Sequence, residues 1–179
     1  MNARQITLHE MNELDQERFV AALSPLFEGS PWIVTQAWSE RPFTSREQLY
    51  QVLCKIMYEA PTEQQVELLR SHPDLVGRAA LAGTLTPEST GEQAAAGLNR
   101  LSPEEIATFN RLNLAYRNRF AFPFVICARE NKKESILAGF TTRLKHTREQ
   151  EISIALGEVA KICYLRLLDL LPSADSSSL

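Results

Sequence analysis

Residues 148–171 read REQEISIALGEVAKICYLRLLDLL. Apolar residues return at Ile152, Leu156, Val159 and Ile162, and the face then continues at Leu165 or Arg166. That is the three-and-four spacing of one side of an α-helix. Thr147 stands where an N-cap belongs and Pro172 where a helix must stop. The same punctuation recurs upstream. Asp15 precedes Phe19, Val20 and Leu23, a run that ends near Pro25, and Gly29, Ser30 and Pro31 then break the chain. Thr44 and Ser45 precede Leu49, Val52, Leu53, Ile56 and Met57. Thr62 opens TEQQVELLRS, with Val66 and Leu69 inward. Thr86-Pro87 pairs an N-cap with proline at the first helical position. Ser102 with Glu105 forms a capping box ahead of Ile106, Phe109, Leu112 and Tyr116. Glu134 to Leu144 is one more helix. The candidate strand, FAFPFVICA at 120–128, carries Pro123 in its middle, so it is read as an extended turn. These signals give an all-α, single-domain helical bundle of about seven to nine helices over residues 1–172. The polar tail, 173–179, is expected to be disordered.

Composition narrows the function classes. The 179 residues are 44% hydrophobic and 23% charged, with a formal net charge of −3. That charge gives no basic excess for nucleic acid or an anionic membrane. No apolar run approaches the roughly 20 residues that span a bilayer, and MNARQITLHEMNELDQ at the N-terminus has no signal-like apolar stretch. Cys54, Cys127 and Cys163 are odd in number, lack CxxC spacing and sit among apolar neighbours, which reads as reduced, buried thiols in a cytoplasmic protein. No HExxH, Cys/His cluster, Asp-rich loop, GxGxxG, Walker or GxSxG sequence occurs, so neither a metal nor a nucleotide is expected.

Four places can carry chemistry. Of the three histidines, His9 and His146 read as solvated surface residues, His9 within a frayed N-terminal region. His72 stands in Ser71-His72-Pro73-Asp74-Leu75, just past a helix end, where proline stiffens the backbone and Asp74 can cap or orient the imidazole. An imidazole exchanges protons near neutral pH; the plain alternative is a histidine closing a helix C-terminus. Glu92 stands in Glu88-Ser89-Thr90-Gly91-Glu92-Gln93, a polar cluster suited to a small hydrogen-bonding ligand; the alternative is a capping box of Ser89 with Glu92. Arg166 lies in the apolar ICYLRLLDLL and must find an anion, either Asp169, a nearby glutamate or a ligand oxygen. The backbone of Phe124, Val125, Ile126, Cys127 and Ala128, next to Pro123, either pairs with amide edges of a ligand or packs as core.

Together, His72-Pro73-Asp74-Leu75, Leu85 to Gln93, Leu112-Asn113 with Tyr116, Phe120 to Arg129, Glu158 to Ile162 and Leu165-Arg166-Leu167 resemble the 2-oxo-4-hydroxy-4-carboxy-5-ureidoimidazoline (OHCU) decarboxylase family, from about Phe19 to Leu171. The resemblance implies an all-α homodimer without cofactor that converts OHCU to (S)-allantoin and carbon dioxide. It places the catalytic histidine at His72 and the catalytic acid at Glu92. It places substrate binding at Pro73, at Ser89, Thr90, Gly91, Glu92 and Gln93, at the backbone of Phe124 to Ala128, and at an arginine best matched by Arg166, with Arg143 and Arg148 as competitors. Ala121 departs from the family's FGFPF stretch, which matters only if that residue needs a positive φ. The terminal Ser177-Ser178-Leu179 lacks the lysine of a peroxisomal SKL address, so a cytoplasmic enzyme is expected. Two other readings are a non-catalytic helical module and an enzyme that consumes the related hydroxyisourate without releasing carbon dioxide.

Overall fold

The computed structural model describes residues 5–172. The tail expected to be disordered, 173–179, lies outside the described residues. Ten α-helices and three short 3-10 turns make up the described chain, without a strand among these residues. All-α architecture is thus observed. The longer helices fall within the expected number, and three short pieces, α1 (Leu8–Glu13), α3 (Trp32–Ala37) and α6 (Arg78–Leu81), which carry too few residues to show a period, add to them.

Among the described residues the contacts divide the chain into two compact units, one of residues 5–61 with 160–172 and one of 62–159. The first unit holds α1, α2 (Gln16–Leu23), α3, α4 (Arg46–Glu59) and the C-terminal part of the last helix. Caps start its helices where the sequence places them. Asp15 accepts the N–H of Arg18, and Ser45 that of Gln48. Thr7 forms a full capping box with Glu10, so the region around His9 is a capped helix rather than a frayed end. Met11, Phe19, Leu23, Ile33, Val34, Leu49, Leu53, Met57, Cys163 and Leu167 are fully buried here.

The second unit holds α5 (Thr62–Ser71), α6, α7 (Pro87–Ala95), α8 (Pro103–Phe120), α9 (Lys133–Arg143) and the first part of α10 (Arg148–Leu170). Its interior is aromatic. Phe124 stacks on Phe140 with ring centroids 3.8 Å apart, and Tyr116 meets Phe120, Phe122, Phe124 and Phe140. Edge and stacked pairs of this kind add to plain area burial. The 121–127 segment is neither helix nor strand, and it leads into a 3-10 turn at Ala128–Glu130. Pro123 explains this, since it offers no N–H to a ladder and disfavours a helix before it.

Candidate active site

The candidate site residues other than Arg166 lie in the second unit, and His72 follows the last turn of α5. Its ring is buried, and Nδ1 lies 2.8 Å from the carbonyl oxygen of Leu68. A carbonyl only accepts, so Nδ1 carries the hydrogen and the neutral ring has its lone pair on Nε2. The helix-closing role weighed from sequence is therefore real, and it uses one nitrogen. Asp74, weighed from sequence as a cap or as an orienter of the ring, pairs instead with Arg117: both of its oxygens accept from Nε, at 2.8 and 3.1 Å.

The chain after His72-Pro73 is held in an unusual path. Val76 has φ +54°, a conformation that costs a β-branched residue energy. Gly77 follows, where a Cβ would come within 2.6 Å of the Asp74 Cβ. Two buried amides pin this loop. Gln93 accepts the Val76 N–H at 3.0 Å, with its own Nε2 3.5 Å from the Asp74 carbonyl. Asn113 donates to the Leu75 carbonyl at 2.8 Å. Gln93 thus serves the His72 loop with the amide that the sequence offered to a ligand.

Glu92 sits half-buried in α7. The capping-box alternative for it does not hold: Thr86 caps α7 and accepts the Ser89 N–H at 3.2 Å, so Glu92 lies past the first turn. Ser89 is buried, while Thr90 and Gly91 are exposed. Helix α7 packs against the 3-10 turn Ala128–Glu130. Burial pushes the Cys127 thiol up to about 11, and the carboxylates of Glu130, Glu158 and Glu92 act in the same direction. Glu92 is therefore an electrostatic neighbour of the 124–128 segment.

That segment is partly spoken for. The Cys127 N–H donates to Glu158 at 2.8 Å, and the Val125 carbonyl accepts from Arg143 Nη1 at 2.7 Å. Both were open edges in the sequence reading. Among the described residues, the N–H and C=O groups of Phe124 and Ile126 have no protein partner. Buried backbone groups are rarely left so, and this pair of free edges is what an amide-bearing ligand would complete. A separate cavity of about 360 Å³ is lined by Val76, Leu85, Thr90, Gln93, Leu98 and Ile106 among others. Neither His72 nor Glu92 lines it.

Arg166 belongs to the first unit. It is buried and donates to Glu28 at 3.1 Å and to the Pro25 carbonyl at 2.8 Å. Glu28 is thus an internal anion for it. Its competitors are engaged as well: Arg148 binds the Phe120 carbonyl, and Arg143 joins Glu151. His146 is not simply a solvated surface residue, since its Nδ1 meets Glu151 at 2.7 Å. The sequence reading gave no role to Glu151 or Glu158. A signal existed: Glu151, Ala155 and Glu158 share the inward spacing of α10, so two acids fall on a face that also carries buried alanine. Among the described residues no group of three or more His, Cys, Asp or Glu is placed to hold a metal ion.

The sequence model described as OHCU decarboxylase matches residues 12–168. The 2-oxo-4-hydroxy-4-carboxy-5-ureidoimidazoline decarboxylase of Halalkalicoccus jeotgali is 39% identical over 173 residues, covering 97% of this chain and 96% of that protein. The protein of the same name from Amia calva is 42% identical over 164 residues, covering 92% and 94%. A crystal structure of (S)-allantoin synthase superposes with a TM-score of 0.76 at 27% identity, over 95% of this chain and 56% of that one. A crystal structure of OHCU decarboxylase in the presence of (S)-allantoin gives 0.70 at 21% identity, which bears on the fold.

Proposed function

Because this chain belongs to the OHCU decarboxylase family, we propose that it is a carboxy-lyase that converts OHCU to (S)-allantoin in urate breakdown. The single observation that carries the reading at the site is the buried ring of His72, whose Nδ1 donates to the Leu68 carbonyl and so fixes the orientation and tautomer that an acid–base group needs. The family model runs through both compact units, which supports treating 1–172 as one domain of this family.

The chemistry needs a place for one electron pair. The carboxylate leaves as carbon dioxide, and the pair from the broken bond forms a double bond to the neighbouring ring carbon. The C=N pair moves onto nitrogen, which takes a proton. The hydroxyl then gives up its proton as its oxygen becomes a carbonyl, and the neighbouring carbon is protonated on one face. His72 exchanges the hydroxyl proton through Nε2. Glu92 hydrogen-bonds the substrate and orients that proton. A positioned acid–base group of this kind gives about 100- to 10,000-fold. Pro73 and the stretch Ser89, Thr90, Gly91 and Gln93 shape the binding surface, with Gln93 acting through the loop. The backbone of Phe124 to Ala128 pairs with the ureido and ring amides, a role supported by the unpaired groups of Phe124 and Ile126. Arg166 holds anionic oxygen, as the family resemblance implies. No cofactor enters this scheme.

A homodimer and a cytoplasmic location belong to the same proposal. No helix among the described residues is long and apolar enough to cross a membrane. Sedimentation of the purified chain tests the dimer. For the activity, the chain is added to freshly generated OHCU while carbon dioxide release and circular dichroism are followed. Faster loss of OHCU with carbon dioxide and an (S)-allantoin signal is expected. An unchanged decay, or consumption of hydroxyisourate without carbon dioxide, overturns the reading.

A further inference from the structure

Glu151 is fully buried, yet its carboxylate is crowded with donors. Oε2 accepts from Arg143 Nε at 2.9 Å and from the Tyr116 hydroxyl, and Oε1 meets His146 Nδ1 at 2.7 Å. A carboxylate taken out of water persists only when paired and hydrogen-bonded in this way. Arg143 is therefore fixed by its Nε side. Its Nη1 reaches on to the Val125 carbonyl at 2.7 Å, and its guanidinium lies 4.3 Å from the Phe124 ring centre. Two residues along, Glu158 takes the Cys127 N–H at 2.8 Å. A cation thus holds the carbonyl of residue 125 and an anion holds the N–H of residue 127. The residue between them, Ile126, has neither backbone group taken by the protein among the described residues.

In extended chain, alternate residues turn their backbone groups to opposite edges. Cys127 is extended, with φ −69° and ψ 92°. With the Val125 carbonyl and the Cys127 N–H both held by the protein, the N–H and C=O of Ile126 remain between them as a donor–acceptor pair. Such a pair matches the –NH–C(=O)– edge of a cyclic urea or ureide. We propose that Arg143, fixed by Glu151, and Glu158 are positioning residues that set the Ile126 edge to recognise that group. They act through the backbone of Val125 and Cys127. The proposal deepens the decarboxylase reading and rests on it for the identity of the substrate.

The test uses binding as well as turnover. Allantoin is titrated into the isotope-labelled full chain while the Ile126 amide signal is followed, and affinity is measured for the parent, Arg143→Lys, Glu158→Leu and Glu158→Gln. Lysine keeps the charge but cannot hold Glu151 and the Val125 carbonyl together, and leucine removes the acceptor for Cys127. Losing one such buried hydrogen bond is expected to weaken allantoin binding about tenfold, with KM for OHCU rising more than kcat falls. The glutamine variant, which still offers an acceptor, recovers most of the affinity. Should Arg143→Lys fail to fold, the leucine and glutamine pair at the half-exposed position 158 decides the matter. Parent affinity and KM in folded variants, or an Ile126 amide that allantoin does not move, overturns the proposal. Failure of the decarboxylase reading shows separately, as a parent chain that leaves OHCU decay unchanged.

Discussion

Gln93 accepts the backbone N–H of Val76 at 3.0 Å while Val76 is held at φ +54°. One buried amide on α7 therefore stabilises a strained turn in the loop that follows His72, and it sits next to Glu92. Sequence neighbours of the two proposed catalytic groups are joined by this bond. Gln93→Leu leaves the buried Val76 N–H without its acceptor, which costs about 1–3 kcal/mol. A lower urea midpoint and slower turnover are expected together. An unchanged midpoint shows that the turn does not need the amide.

Ala121 closes α8 in the left-handed region, at φ 65° and ψ 22°. The sequence raised the question of its methyl group, and the backbone answers it. A left-handed alanine costs roughly 1–2 kcal/mol, partly offset in glycine by greater chain freedom when unfolded. Ala121→Gly is expected to raise stability by about 0.5–1 kcal/mol with kcat unchanged. Thermal unfolding checks it, and a lower midpoint contradicts the strain argument.

Much of the fold was legible because its signals are local. Asp15, Ser45, Thr86 and Ser102 each cap the helix assigned to them, and Pro123 kept 121–127 out of any strand. The short helices were not legible, because a single turn shows no period. His72 and Glu92 stood out by chemistry. What the sequence hid were pairings across long separations. Arg166 pairs with Glu28, Asp74 with Arg117, and Cys127 with Glu158. Such partners become visible only once distant helices are packed. Glu151 looked like an ordinary acid in a first helical turn, and burial alone reveals its three donors.

The Arg166–Glu28 pair separates stability from function. Removing one member of a buried pair is expected to cost about 3–5 kcal/mol, because the other charge is stranded. Arg166→Met should unfold readily, and the double change Arg166→Met with Glu28→Leu should regain stability. If Arg166 holds substrate oxygen, the stable double variant has a raised KM for OHCU. A stable double variant with parent kinetics confines Arg166 to a structural role.

Alkaline stability follows from Cys127. Burial, then the nearby carboxylates, raise its thiol from an ordinary 9.0 to about 11. Below pH 9 the thiol is neutral in both states, and its contribution is fully present. Between pH 9 and about 11 the unfolded chain loses the proton first, so stability declines as pH rises. Cys127→Ala is expected to flatten part of that decline in denaturant titrations at pH 8, 9 and 10. An equal slope in both proteins contradicts the assignment.

The central claim is that His72, through Nε2, exchanges the hydroxyl proton of OHCU in the enzyme-held route to (S)-allantoin. The direct measurement is the rate of OHCU loss and the circular dichroism of the product with His72→Ala, using freshly made substrate and a variant shown to be folded. The account predicts a rate lower by about 100-fold or more and a product without (S) excess. Formation of (S)-allantoin at the parent rate would contradict it.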